Sequence, residues 1–114
     1  MRVIDNVHIG TTVKYAVRAK GTPSVTMDGC DFDMYAWTSS SNDPKQDIPS
    51  KGVIHKSKIN CIRVDAGQYA MEIPTGLVGK GYLMVRVELQ VPDSDCANGY
   101  RPEVQHLFTD IKIV

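Results

Sequence analysis

Apolar side chains occupy every second position of residues 83–91, from Leu83 to Val91. Alternate side chains of an extended chain point to the same face, so this pattern predicts a half-buried strand. A second long strand is predicted over residues 103–114, with Leu107, Ile111 and Ile113 on one side. One polar loop joins the two strands, and this arrangement is typical of a β-sandwich.

Shorter segments of the same kind precede this pair. Apolar side chains share one face in residues 13–19, 32–36 and 69–73, and two more short strands are predicted within 53–64. Turn-forming residues separate these segments at intervals of about ten residues, which is the spacing of a β-sandwich. We therefore expect one all-β domain spanning residues 1–114, an immunoglobulin-like antiparallel β-sandwich of seven or eight strands.

Two segments interrupt the alternation. Residues 39–51 are rich in Ser, Asn, Asp and Pro, and this composition predicts the longest loop. Glycines crowd residues 74–81, where Leu77 and Val78 are expected in a short turn over the core rather than in a helix.

Charge and cysteine content narrow the classes of function. Thirteen basic residues balance thirteen acidic ones, so no net field steers the protein toward nucleic acid or a membrane surface. Cys30, Cys61 and Cys96 cannot all pair within one chain, and none belongs to a C-x-x-C motif. No apolar run has the length of a signal peptide or a membrane span. We expect a protein made in a reducing cytoplasm that binds neither nucleic acid nor membrane.

The loop before the last strand contains the best candidate for a metal site. Asp93, Asp95 and Asn98 supply the oxygen ligands that calcium prefers. However, the spacing does not match an EF-hand loop, and Asp and Asn also favour turns for backbone reasons. A second acidic group, Asp28, Asp31 and Asp33, falls largely on the polar side of a strand. We therefore predict no metal and no cofactor.

Catalytic chemistry has little support in the sequence. The three histidines lie far apart along the chain, and the glycine-lysine segment at 76–81 lacks the spacing of a phosphate loop. A thiol enzyme, for instance one that pairs Cys30 with His106, is an alternative that requires an activated thiolate. Buried cysteine acting as a small apolar residue is the simpler expectation. We predict no catalytic residue.

Two regions carry a resemblance to a known family: IGTTVKYAVRAKG followed by MDGCDFDMYAW, and VELQVPDSDCANGYRPEV. They are similar to small β-sandwich proteins of bacteriophages and prophages of gut Bacteroides, including the crAss-like phages. That family has an opening I-G-[TS]-x-[LIV]-[KR]-Y strand, a D-D-F-x-[VM] strand and a closing V-P-D-x-D-x-x-x-G-x-R-x-E-V loop. Here the motifs correspond to residues 9–15, 29–34 and 91–104, with departures at Cys30, Cys96 and Pro102.

The resemblance implies a virion structural protein with an immunoglobulin-like domain and no catalytic residue. We expect an auxiliary or decoration protein of the capsid, synthesised in the host cytoplasm, with the major capsid protein as its partner. The alternative is a component of the tail, baseplate or head fibre, including a carbohydrate-binding module that contacts the host capsule. The candidate sugar platform for this alternative is formed by Trp37, Tyr35 and Tyr100, since sugars stack on open aromatic rings.

Partner contacts are predicted at two places. Residues 1–9 form a candidate N-terminal arm or edge strand, with Val3, Ile4 and Val7 as apolar anchors. The closing loop offers Asp93, Asp95 and Arg101 as a rigid charged tip, in which Arg101 is expected to pair with Asp95 or Glu103.

Overall fold

The computed structural model describes residues 3–43 and 47–114. Ten strands lie within this part of the chain: β1 (Asp5–Val7), β2 (Thr12–Val17), β3 (Lys20–Gly21), β4 (Val25–Thr26), β5 (Asp31–Ser39), β6 (Ile54–Ser57), β7 (Ile62–Asp65), β8 (Gln68–Pro74), β9 (Gly81–Pro92) and β10 (Tyr100–Ile113). Two 3₁₀ turns, Met27–Gly29 and Lys58–Asn60, and one short helix, α1 (Thr75–Val78), complete the elements of this part.

The strands form two main sheets, and the prediction of an all-β sandwich is confirmed. The larger sheet has the order β1-β10-β9-β5-β6, the smaller has the order β2-β8-β7, and β3 pairs with β4 as a small hairpin. Most neighbours are antiparallel, as expected. The prediction is wrong at one edge, because β1 runs parallel to β10, with Asp5 opposite Ile111 and Val7 opposite Ile113.

The core lies between the two sheets and follows the predicted alternation. Phe32, Met34 and Ala36 of β5 are fully buried, as are Val85, Val87, Leu89 and Val91 of β9. From the smaller sheet, Met71 and Ile73 of β8 join the same cluster. Removing this apolar area from water is the main favourable term in folding.

The glycine-rich segment differs from its prediction. Residues Thr75–Val78 form one helical turn, and Gly79 N–H donates to Thr75 O at 2.9 Å. Val78 packs on the core, whereas Leu77 is exposed. Thr75 explains why a helical turn forms here. Its hydroxyl donates to Thr11 O (2.7 Å) and accepts from Gly10 N (2.8 Å), so the turn is anchored to the start of β2.

A charged network holds the first 3₁₀ turn against the smaller sheet. Both oxygens of Asp28 accept hydrogen bonds from Arg63, at 2.9 and 3.1 Å. Tyr69 Oη and Gly67 N donate to the same carboxylate, each at 2.7 Å. The hydrogen bonds from Arg63 and Tyr69 hold the pKa of the Asp28 carboxyl well below its usual value, because they favour the ionised form.

Lys58 closes the other side of this turn. Its ammonium donates to the carbonyl oxygens of Met27, Asp28 and Cys30, at 3.2, 3.1 and 2.7 Å. The same nitrogen lies 5.8 Å from the ring centroids of Phe32 and Tyr69, so the charge is also stabilised by two aromatic faces. Asp28 and Lys58 therefore hold the first 3₁₀ turn in place from its two sides.

Candidate functional site

The larger sheet has a second face, which points away from the smaller sheet, and we call it the outer face. It carries the odd-numbered residues of β5 and the even-numbered residues of β9 and β10, because the other positions point into the core. The strand register places these side chains in rows across the sheet. One row contains Phe108, Met84 and Trp37, the next contains His106, Arg86, Tyr35 and His55, and the third contains Val104, Glu88, Asp33 and Ser57.

The outer face is closed at one end. Trp37 and Met84, which lie opposite each other, are each only 1% exposed although neither belongs to the main core. Trp37 and Met84 therefore form a buried apolar pair at this end of the outer face.

Polar side chains with fixed partners fill the middle of the outer face. His55 Nε2 lies 2.7 Å from Asp33 Oδ1, and the His55 ring stacks on Tyr35 with centroids 4.5 Å apart. Tyr35 is held away from solvent by this stacking, and burial raises the pKa of its hydroxyl. These three side chains come from β5 and β6, so their arrangement depends on the register of that strand pair.

The neighbouring strands add a second charged pair. Arg86 Nη2 lies 2.7 Å from Glu88 Oε2, and both side chains are mostly buried. Within the described residues, Arg86 Nε and His106 Nδ1 are buried without a hydrogen-bond partner. A buried polar atom that lacks a partner costs free energy, so these two atoms lower the stability of this row.

An apolar line borders these charges on β10. Tyr100, Val104 and Phe108 occupy alternate outer-face positions, and they are 37%, 45% and 41% exposed. We call these three residues the β10 stripe. Large apolar side chains aligned on a rigid strand beside charged residues have the composition of a protein interface, with an apolar centre and a polar rim.

The closing loop is a self-contained turn. Asp93 N donates to Gly99 O at 2.9 Å, Asp93 Oδ1 accepts from Asp95 N at 3.0 Å, and Gly99 has a φ of 78°. Arg101 Nη2 lies 3.2 Å from Glu103 Oε1, as predicted, and Arg101 Nη1 lies 3.7 Å from Asp93 Oδ2. The second carboxylate near Arg101 is therefore that of Asp93, and not the predicted Asp95. Within the turn Asp95 contributes its backbone N–H, which donates to Asp93 Oδ1.

Glu103 has a further role that the sequence did not indicate. Its two carboxylate oxygens accept from Thr22 N at 2.9 and 3.0 Å, and Gln105 Nε2 donates to Lys20 O. These bonds hold the small β3–β4 hairpin under the core side of β10.

The N-terminal candidates lie at the opposite end of β10. Met1 and Arg2 are outside the described residues. Val3 is 80% exposed, while Ile4 and Val7 are half-buried beside the edge of the larger sheet. Val114 N donates to Val7 O at 2.8 Å, and Ile9 N donates to Val114 O at 2.9 Å. Of these anchors, Val3 is the one that projects freely.

The three aromatics of the candidate sugar platform do not meet. Trp37 is 1% exposed, so its ring does not offer the open face that the sugar-binding alternative requires. Tyr35 has one ring face covered by His55. Tyr100 is opposite Pro92 and Trp37 is opposite Met84, eight positions apart on β9, which is about 26 Å in a strand.

The structure also places the cysteine thiols and the acidic residues that were considered as nucleophiles and metal ligands. Burial raises the pKa of the Cys30 and Cys61 thiols, which disfavours the thiolate that a nucleophile needs. Cys30 lies on the core side and His106 on the outer face, so the predicted pair does not form. Among residues 3–43 and 47–114, no group of three or more His, Cys, Asp or Glu side chains is placed to hold a metal ion.

An open groove of about 540 Å³ lies at the closed end of the larger sheet. Its lining includes Ser39, Ser40, Lys80, Tyr82 and Lys112, and Lys112 Nζ lies 5.1 Å from the Tyr82 ring centroid. No sequence pattern predicts this groove, since its residues come from three separate segments.

Comparisons with known proteins gave no match, whether to a protein-family model, to a curated protein or to a solved structure. Within the part of the chain that the structure describes, no helix has both the length and the apolar character needed to cross a membrane.

Proposed function

We propose that this chain is a non-enzymatic structural protein of a phage particle, bound to the capsid as an auxiliary or decoration protein. The proposal is based on the resemblance in sequence and on the fold. The sequence resembles Bacteroides phage proteins in its opening strands and in its closing loop, and the fold is the all-β sandwich that the resemblance implies. The major capsid protein is the proposed partner.

The observation that carries the proposal is the exposed β10 stripe on the outer face. Its three apolar side chains stand on the same long strand, and β9 fixes the whole length of that strand by antiparallel pairing. A preorganised apolar line loses little conformational entropy on binding, which favours tight association. Beside the stripe, the paired charges of Arg86 and Glu88 supply polar contacts that select one partner orientation.

Mass spectrometry of purified phage particles tests the proposed location. Tail-less heads and complete virions are analysed separately, and the copies of this chain per particle are counted. An auxiliary capsid protein is expected on heads in hundreds of copies, in proportion to the shell. About a dozen copies found on tailed particles alone would assign it to the tail, baseplate or fibre. Absence from both preparations would overturn the structural role.

Binding of purified protein to tail-less heads tests the surface. Val104→Asp places a charge in the middle of the β10 stripe and is expected to weaken binding at least tenfold. Ile59→Asp is the matched control, because Ile59 is 90% exposed and lies in a 3₁₀ turn away from the outer face. Equal binding by both variants would show that the stripe is not the contact surface.

A further inference from the structure

The open groove at the closed end of the larger sheet is built on three neighbouring strands. Ser39 of β5 lies opposite Tyr82 of β9, and Tyr82 lies opposite Lys112 of β10. Residues that lie opposite each other in a sheet point to the same face, so these three side chains form one row on the outer face. The strand pairing thus fixes a hydroxyl, an aromatic ring and an ammonium group along the groove.

A bulge in β10 determines which charged residue faces Tyr82. Phe108 lies opposite Met84, so a regular antiparallel ladder would place Asp110 opposite Tyr82. Instead, β10 advances four residues, from Phe108 to Lys112, while β9 advances two. Asp110 lies within this bulge and has a φ of 56°. The bulge therefore puts a cation at the position where a regular strand would put a carboxylate.

Lys112 is held in the groove by the ring beside it. Its Nζ lies 5.1 Å from the Tyr82 ring centroid, a distance at which the face of an aromatic ring attracts a cation. The side chain is half-buried, and no carboxylate of the described residues forms an ion pair with it. An ammonium group has three N–H donors, and these remain for water or for an anion.

A second ammonium group lines the same groove at the start of β9. Gly81 has a φ of 137°, and a Cβ there would lie 2.8 Å from Ser39 O, so the chain passes close to the end of β5. This close approach brings Lys80 to the groove that Ser39 and Ser40 also line. Lys80 is exposed, and among the described residues it too has no ion-pair partner. Two cations therefore border one open space.

The groove has the charge and the size of a site for a small anion. Its lining contains two lysines, and no Asp or Glu side chain of the described residues belongs to it. Val114 also lines the groove, and a main-chain carboxylate there would still leave two positive charges against one negative charge. The volume of about 540 Å³ lies within the range of roughly 300–1,000 Å³ that is usual for small-molecule sites.

We propose that this groove binds a small organic monoester of phosphate or sulfate. The oxyanion lies between the ammonium groups of Lys80 and Lys112, which act as point charges, and the Ser40 hydroxyl adds a donor. Among the described residues the lining contains no arginine, whose planar fork is the group that best matches a carboxylate. The organic part of the ligand lies against the Tyr82 ring. This inference concerns a ligand of the chain itself and does not depend on the proposed capsid role.

Titration of the isotope-labelled chain with phenyl phosphate and with phenyl sulfate, followed by NMR at constant ionic strength, tests the proposal. We expect saturable shifts in the amide signals of residues 80–82 and 112, with a dissociation constant of about 1 mM for the better probe. The probe that binds more tightly identifies the preferred oxyanion. The proposal is overturned if neither probe saturates these signals by about 50 mM, or if sodium chloride alone shifts them equally.

Substitution of single lysines tests the assigned contacts. Lys80→Ala and Lys112→Gln should each weaken binding of the better probe about tenfold, because each removes a charged hydrogen-bond donor. Lys14→Ala is the matched control and should leave the affinity unchanged, since Lys14 is exposed on β2 of the smaller sheet. Equal weakening by all three variants would show a general effect of charge and overturn the proposed site.

Two features keep this test independent of folding and of the capsid role. Lys80 is exposed and precedes β9, so Lys80→Ala reports on binding even if Lys112→Gln disturbs the end of β10. Thermal unfolding of each variant shows whether it is folded. The measurements use the purified chain without phage particles, so a failure to bind the probes is distinct from a failure of the proposed capsid role.

Discussion

β9 and β10 are neighbouring strands with similar alternation of side chains, yet they lie in different environments. β9 has a strand on each side, and its core-facing residues are fully buried. β10 has a full-length neighbour on one side only, and its outer-face residues include the exposed stripe. Alternation in sequence specifies which face of a strand is apolar. Whether the second face and the edge are covered depends on the position of the strand within the sheet.

The largest expected effect is a difference in stability between matching alanine variants of β9 and β10. Leu89→Ala removes a buried side chain of β9 and leaves a cavity, so we expect a loss of about 2–5 kcal/mol in the free energy of unfolding. Val104→Ala on β10 removes an exposed side chain and should change stability by less than about 0.5 kcal/mol. Urea unfolding at low protein concentration measures both. Equal losses would mean that β10 is covered in the free protein.

A somewhat smaller loss of stability is expected at the buried end of the outer face. Met84→Ala is expected to cost about 2 kcal/mol, because Met84 is fully buried and lies opposite Trp37. Leu77→Ala, in an exposed position of α1, serves as the control and should be nearly neutral. The fluorescence emission of Trp37 should shift to longer wavelength in the Met84 variant. An unchanged spectrum together with unchanged stability would contradict a closed end of the outer face.

The start of β9 should be sensitive to a single added carbon. Gly81 has a φ of 137°, and a Cβ there would lie 2.8 Å from Ser39 O of β5. Gly81→Ala is therefore expected to cost about 1–3 kcal/mol. At Gly76 no atom lies within 4 Å of an added Cβ, so Gly76→Ala in α1 should be neutral or slightly stabilising. Thermal unfolding of the two variants compares them, and equal melting temperatures would contradict the expected steric clash.

The smallest effect concerns charge, since the side chains of the Asp28–Arg63 pair are partly exposed to solvent. The pKa of Asp28 is lowered in the folded state, so its ionised form adds stability above the unfolded pKa of about 4, and this stability is lost as pH falls toward the folded pKa. Asp28→Asn should lower the free energy of unfolding at pH 7. It should also make that free energy fall less steeply as the pH is lowered. Urea midpoints from pH 7 to pH 3 test this.

Tyr69→Phe provides the matching variant for that network. It removes one hydrogen bond to Asp28 and keeps the ring, so it should be destabilising in the wild-type chain and nearly neutral when combined with Asp28→Asn. If the losses in the free energy of unfolding caused by the two substitutions simply add, the Tyr69 hydroxyl does not act through the Asp28 carboxylate.

Much of the fold was predictable because burial repeats with a period of two. The core faces of β5 and β9 match the predicted faces, since both strands are long and pack against the smaller sheet. The strands β3 and β4 were not predicted, because two residues each are too few to show an alternating pattern. α1 was missed for a related reason, since the anchor of its single turn, Thr75 on Thr11, is 64 residues away in sequence.

The site was less predictable than the core. Trp37 follows Asp33 and Tyr35 on the polar side of β5, and this pattern suggests exposure, yet Trp37 is buried beside Met84 from another strand. Asp28 lies 35 residues from Arg63 and 41 from Tyr69, so no local pattern indicates that they meet. The β10 stripe could not be predicted from the sequence. The exposure of Val104 and Phe108 depends on the position of β10 in the sheet, which the pairing with β9 shows.

The parallel pairing of β1 with the end of β10 has a mechanical consequence. If the chain is pulled from its two ends, β1 is drawn one way and β10 the other, along the direction of the strands. The bonds between them, including Val114 N to Val7 O and Ile9 N to Val114 O, are then loaded together instead of one after another. Such a shear geometry resists force far better than unzipping does. A domain tethered at both ends would bear tension through this short pair of strands.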